Sequence, residues 1–151
     1  MVKRWACILA TGFGCGYVPV APGTVGSLVG VLIYLLLASL STFAVNILFA
    51  GCLFIVGVYV SGMAEKVFRV TDARAIVIDE ISGMLLTLLL LPGQVYLPAA
   101  FILFRGLDIL KPFPIRVVER KMSGGLAIML DDVVAAGYTI LILNGFDFLI
   151  R

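Results

Sequence analysis

The hydrophobic positions of this chain form long uncharged runs. No charged residue occurs from Trp5 to Ala64, and Ile81 to Phe104 and Val133 to Phe146 are also uncharged. Four stretches, Thr24 to Leu40, Phe43 to Met63, Ala75 to Pro92 and Ala127 to Phe146, approach the ~20 residues a helix needs to span hydrocarbon. Tyr96 to Leu110 is a fifth, shorter run. At ~15 residues it spans only where the bilayer thins or its ends are embedded in protein. Residues 5 to 22 are broken by Gly and Pro. Irregular backbone at membrane depth is tolerated only against protein or a water-filled cavity, so this segment is expected to be re-entrant or interfacial. The pattern predicts an all-α, polytopic membrane helical bundle with about five spans plus that N-terminal segment. Residues 1–151 read as a single domain, without long linkers or internal repeats.

Composition narrows the reading. Of 151 residues, 62% are hydrophobic and 13% charged, against roughly half and about a quarter in a soluble domain. One core of this size could not hide so much apolar side chain, so the remainder must face lipid or a partner chain. A cleaved signal peptide does not explain the N-terminus, because apolar segments recur to the end. Cys7, Cys15 and Cys52 are odd in number and lack metal-ligand spacing, so they read as small buried hydrophobes.

The connections sort by charge. Ser41–Thr42 and Gly93 to Val95 carry none, whereas Lys3 and Arg4, then Lys66, Arg69 and Arg74, then Lys111, Arg116, Arg120 and Lys121 form basic clusters. The positive-inside tendency places all three clusters in the cytoplasm and Arg151 outside. Acids then fall at one depth. Asp79 and Glu80, Asp131 and Asp132, and Asp108 all lie near the cytoplasmic ends of their runs, within about two helical turns of that face at ~1.5 Å per residue.

Long side chains such as Arg105 and Lys111 can snorkel to water. Asp cannot reach as far, and an intramembrane Asp costs up to ~2.5–3.5 kcal/mol on insertion scales. These acids therefore need either structural pairing with Arg105 or Lys111, or a bound cation that gives them a functional role. Hard oxygen ligands suit Mg²⁺ or Mn²⁺ better than zinc. The chain has no histidine, so acid–base work falls to Asp, Glu, Lys, Tyr or metal-bound water. No Cys precedes an Arg by six residues, and no D-x-D motif occurs. What remains is attack by a metal-activated water.

Two further patterns bear on an anionic ligand. Pro22-Gly23-Thr24-Val25-Gly26-Ser27 opens a span, and free amides at a helix N-terminus bind anions. The same glycines, Gly26 and Gly30, form a G-x-x-x-G pattern that equally serves helix packing. Arg105, Asp108 and Lys111 recur every three residues on one helix face, before Pro112 and Pro114 stop the helix. Basic residues there can hold an anionic headgroup or simply anchor the chain.

Four motifs in order, GFGCGYVPVAPGTVGSLVG (12 to 30), IVIDEISGM (76 to 84), FRGLDILKPFPIR (104 to 116) and GGLAIMLDDVVAAG (124 to 137), make the chain resemble the phosphatidylglycerophosphatase A family over about residues 8 to 142. That resemblance implies a Mg²⁺-dependent, inner-membrane phosphatase of glycerophospholipid synthesis, all-helical, with functional roles for Asp79, Glu80, Arg105, Asp108, Lys111, Asp131 and Asp132. Asp79, Glu80, Asp131 and Asp132 are expected as metal ligands and water activators, with Asp108 a further ligand. Arg105 and Lys111 would neutralise phosphate oxygens, and Gly23, Thr24 and Ser27 would cradle the phosphate. The expected partners are the bilayer and an anionic phospholipid substrate, with no nucleic acid; the oligomeric state stays open, a homodimer being one option. One rival is a small cation or proton transporter, since intramembrane acids also mark ion paths. Against it, the acids sit at one face. A CDP-alcohol phosphotransferase, the other rival, needs a D-G-x-x-A-R motif that is missing.

Overall fold

The computed structural model of the chain describes residues 2–70, 73–113 and 122–151. Helices α1 (Val2–Ala10), α2 (Pro22–Leu40), α3 (Phe43–Phe68), α4 (Ile78–Leu89), α5 (Leu97–Leu110) and α6 (Gly125–Ile150) follow in order, with 3-10 turns at Cys15–Tyr17 and Gln94–Tyr96. No strand occurs among the described residues. The basic residues Arg116, Arg120 and Lys121 lie outside the described residues.

Three helices, α2, α3 and α6, are long and apolar enough to cross a membrane, by length and composition. This differs from the five expected. The run from Ala75 to Pro92 yields only the 12-residue α4, because the chain before it is spent on a turn, with the Ile76 amide donating to the Ala73 carbonyl at 2.8 Å. At ~1.5 Å per residue α4 is ~18 Å long. It can be short because lipid barely sees it: α2, α3, α5 and α6 all pack against it, and ten of its residues are buried.

The N-terminal segment also differs in part. Residues 2 to 10 form a regular helix that lays Ala6 and Ala10 against α3, because the glycines that break the chain begin only at Gly12. From Thr11 to Ala21 the backbone is irregular, as expected, with positive φ at Gly12, Phe13, Gly14 and Ala21. This loop lies against the approach to α4: Val77 donates to the Ala10 carbonyl at 2.9 Å, and a Cβ on Gly16 would meet the Ala75 carbonyl oxygen at 1.9 Å.

Side-chain size is sorted as hydrocarbon solvent requires. The buried residues of α2 are Gly23, Gly26, Ser27 and Gly30, and those of α3 include Ala50, Gly57, Ser61 and Ala64. Large side chains such as Leu32, Leu36, Ile55 and Tyr59 point outward instead. Small residues inside let helix backbones approach, since helices in lipid gain little by hiding leucines from it. A Cβ on Gly30 would meet the Ile81 carbonyl oxygen at 2.8 Å, and one on Gly125 would meet that of Val58 at 1.9 Å. These contacts fix α2 on α4 and α6 on α3. Buried hydroxyls are satisfied within their own helices: Ser27, Thr87 and Thr139 donate to the carbonyls of Gly23, Gly83 and Ala135 at 2.8 to 3.0 Å. Cys7 and Cys15 are half-buried, whereas Cys52 is exposed, on the outer side of α3, rather than in a core.

Candidate active site

One end of the bundle gathers the N-termini of α2, α4 and α6 with the C-termini of α3 and α5, and an open cleft of about 950 Å³ lies between them. Helices α3 to α6 bring charges to it, whereas α2 brings none. Asp79 and Glu80 sit in the first turn of α4, where the positive end of the helix dipole favours anions. Asp131 and Asp132 are adjacent on α6, so their side chains diverge by ~100°. Asp131 lines the cleft and pairs through Oδ2 with Lys111 Nζ. Asp132 turns inward, only 2% exposed, against Gly83, where a Cβ would come within 2.9 Å of Asp132 Cβ.

Carboxylate oxygens of Asp79, Glu80 and Asp132 lie within 4.8 Å of one another. Arg105 Nη1 sits 3.8 Å from Glu80 Oε1 and donates to Asp108 Oδ2 at 2.6 Å. The five acids expected at one depth thus divide. Three converge, while Asp108 and Asp131 each hold a cation, Asp108 staying close to Glu80 and Asp132.

The buried atoms Glu80 Oε2 and Asp132 Oδ2 have no hydrogen-bond partner. Leaving such atoms bare costs ~1–3 kcal/mol each, more for a charged group. An all-oxygen set with unspent lone pairs and more negative than positive charge fits a hard divalent cation.

Gly23 and Thr24 line the cleft. Gly23 is there because nothing larger fits: a Cβ would meet Glu80 Oε1 at 2.1 Å and Arg105 Nη2 at 2.8 Å. The α2 N-terminus offers fewer amides than the sequence suggested. Pro22 has none, and those of Thr24 and Val25 already donate to the Ala21 carbonyl. Ser27 lies one turn deeper, off the cleft wall, fully buried with its hydroxyl on Gly23.

Lys111 caps α5 with φ 45, a left-handed conformation usually left to glycine. The turn that follows is held by Tyr138, whose hydroxyl donates to the Phe113 carbonyl at 2.9 Å. Sequence reasoning did not single out Glu65, Arg74 and Tyr17, which also line the cleft. The available signal for Glu65 was its place as the first charge after the run from Trp5.

Fold and cleft together define a helical membrane protein with an acid triad and three cationic side chains, Arg74, Arg105 and Lys111, at one end of its bundle. Compared with known proteins, residues 8–147 match the family model described as phosphatidylglycerophosphatase A. The chain is 40% identical over 137 residues to the Haemophilus influenzae phosphatidylglycerophosphatase A, covering 89% of this chain and 84% of that one. It is 39% identical over 132 residues to the Escherichia coli protein of the same name, covering 85% and 75%. A Bacteroides thetaiotaomicron protein, provisionally named a phosphatidylinositol-3-phosphatase, is 33% identical over 144 residues, covering 90% and 89%. No solved structure matches the chain. The chain belongs to the phosphatidylglycerophosphatase A family, and is an enzyme of the lipid phosphomonoester phosphatase class.

Proposed function

We propose that the protein hydrolyses the terminal phosphomonoester of phosphatidylglycerophosphate to phosphatidylglycerol, with Mg²⁺, at the cytoplasmic face of the inner membrane. The observation that carries this reading is the convergence of Asp79, Glu80 and the buried Asp132, with Asp79, Glu80 and Arg105 lining a cleft that also has an apolar rim. Val18, Pro19, Ile109 and Met122 belong to its lining, and Phe13, Val20 and Phe113 stand exposed nearby in sequence. Such a cleft suits an amphiphile, its headgroup among charges and its chains against the rim.

Asp79, Glu80 and Asp132 would hold the cation, with Asp108 in reserve. When bound, it would supply charge neutralisation at the phosphate and lower the pKa of a water. The residues of the chain do the rest. Arg105 lines the cleft and keeps a buried Nε with no hydrogen-bond partner, a donor available to an oxyanion where charge builds in the transition state. Lys111, held by Asp131, adds a second positive charge to the wall. A carboxylate takes the proton of the attacking water as the new P–O bond forms. The bond to the glycerol oxygen breaks, and that oxygen leaves with a proton. The basic residues Lys66, Arg69 and Arg74 near the cleft support a cytoplasmic orientation. The transporter alternative finds no support in the relatives, and Asp79, Glu80, Asp108 and Asp131 line one cleft, with Asp132 buried behind it.

The test is phosphate release by purified protein in nonionic micelles from phosphatidylglycerophosphate, phosphatidic acid and phosphatidylinositol 3-phosphate. Release should be greatest from the first, be abolished by EDTA and return with Mg²⁺. Absence of release from the first substrate, or full activity in metal-free buffer, defeats the proposal.

A further inference from the structure

The cleft holds three described cations in unequal situations. Arg105 is engaged by Asp108 and Glu80, and Lys111 by Asp131. Arg74 also lines the cleft, is exposed, and makes no ion pair with a described residue. Glu65 shares the lining. Lys66 and Arg69 belong instead to a smaller neighbouring hollow.

The backbone that carries Arg74 is firmly placed. Ala73 and Ile76 on either side are buried at 9% and 3% exposure. The turn is closed by the Ile76 amide on the Ala73 carbonyl, the Val77 amide is tied to Ala10, and Gly16 packs directly on Ala75. Its guanidinium is therefore presented to the cleft from a fixed base, on the exposed side, while the acid triad lies at the buried side.

A phospholipid phosphomonoester of the proposed kind carries two phosphates, joined by a three-carbon glycerol. When the terminal monoester reaches Asp79, Glu80, Asp132 and Arg105, the diester remains on the side of the acyl chains, toward the mouth. It carries one negative charge and needs a donor there. We infer that Arg74 is a specificity-determining residue that binds the diester phosphate of the substrate, so that the enzyme reads a lipid with two phosphates rather than any lipid monoester. This rests on the lipid-phosphatase reading above. Guanidinium presents paired donors that fit two phosphate oxygens, which an ammonium matches only as a point charge.

The two products separate the subsites. Phosphatidylglycerol keeps the diester and lacks the monoester, while inorganic phosphate resembles only the monoester. Inhibition by each is measured with Mg²⁺ in nonionic micelles at fixed lipid mole fraction, for the wild type, Arg74→Gln and Arg74→Lys. For Arg74→Gln, KM for phosphatidylglycerophosphate and the inhibition constant of phosphatidylglycerol should both rise about tenfold, the scale of one charge-assisted hydrogen bond. The kcat should stay within about twofold and inhibition by inorganic phosphate should be unchanged, with Arg74→Lys restoring part of the loss. Unchanged inhibition by phosphatidylglycerol overturns the inference, as does a fall in kcat accompanied by weaker inhibition by inorganic phosphate, which would move Arg74 to the monoester. A wild type that releases no phosphate from phosphatidylglycerophosphate defeats the functional reading and this inference with it. An active wild type with an indifferent Arg74→Gln defeats this inference alone.

Discussion

Replacing Asp132 with Asn separates a cation site from a structural acid, because the shape is kept and one charge is removed. The carboxylate oxygens of Asp79, Glu80 and Asp132 lie within 4.8 Å of one another, where two ionised groups repel by ~3.5 kcal/mol at an effective dielectric of ~20. Three such pairs oppose folding by ~10 kcal/mol when all are ionised. Arg105, 3.8 Å from Glu80, returns only ~4 kcal/mol. Arg105 thus offsets only part of the repulsion among ionised acids, and a divalent cation would remove the rest. Asp132→Asn deletes two of the three repulsions.

The two hypotheses then give opposite patterns in thermal unfolding of detergent-solubilised protein. With EDTA, Asp132→Asn should melt several degrees above the wild type. With Mg²⁺ the wild type should gain stability and the variant should not, as linkage requires of a ligand that binds only the native site. Phosphate release should fall ~100-fold or more, the scale of losing one preorganised charge at a reacting phosphate. The reasoning fails if the variant melts below the wild type in EDTA, if both respond equally to Mg²⁺, or if release at limiting Mg²⁺ is near normal.

Two more outcomes test the fold and its orientation. Gly125→Ala should destabilise by ~1–3 kcal/mol or more through the clash of α6 with the α3 backbone, whereas Gly137→Ala, with nothing within 4 Å of the new Cβ, should gain up to ~1 kcal/mol of helix propensity. Equal melting temperatures for the two would remove the close α3–α6 contact. Single cysteines at Arg69 and Arg151, introduced after replacing the three native ones, should be labelled from opposite sides of the membrane, since α6 carries its C-terminus ~39 Å from the cleft end. Labelling of both from outside intact cells would put the cleft on the wrong face.

Much of the fold was legible because hydrocarbon imposes a length. The runs beginning at Thr24, Phe43 and Ala127 became α2, α3 and α6 with small shifts at their ends. Uncharged sequence measures what lipid must contain, not where a helix stops, so α3 continues past Met63 through Glu65 and Lys66 to Phe68. The same rule misjudged α4, whose surroundings are protein. It also missed α1, a short helix hidden by the glycines that follow it. Depth along a helix follows from counting residues, and this brought the acids to one end of the bundle. Direction around a helix follows from packing, which counting does not supply. That Asp132 joins the triad while Asp131 takes Lys111 depends on Gly83 admitting α6 to α4. Ser27 shares the face of Gly23, yet one turn deeper it is fully buried and off the cleft wall. Arg74 was read as one of several basic loop residues, because its turn is brought to the cleft only through Gly16 and Ala10.

The shortness of α4 ties these observations together. A helix that crossed the bilayer would carry its first turn to the headgroup region, where Asp79 and Glu80 would be hydrated and no cavity would form over them. At 12 residues, α4 begins with Ile78 and Asp79 buried, enclosed by α2, α3, α5 and α6. Its N-terminus thereby becomes the floor of a cleft rather than part of a surface. Burying two acids there is costly in an apolar setting. The α4 dipole and Arg105 meet only part of that cost, and glycines let α2 and α6 close around the carboxylates without covering the mouth. The glycines at 23, 26 and 83 thus serve packing and chemistry at once: each lies against Glu80 or Asp132, and a side chain at Gly23 would occupy the position of the Glu80 carboxylate itself.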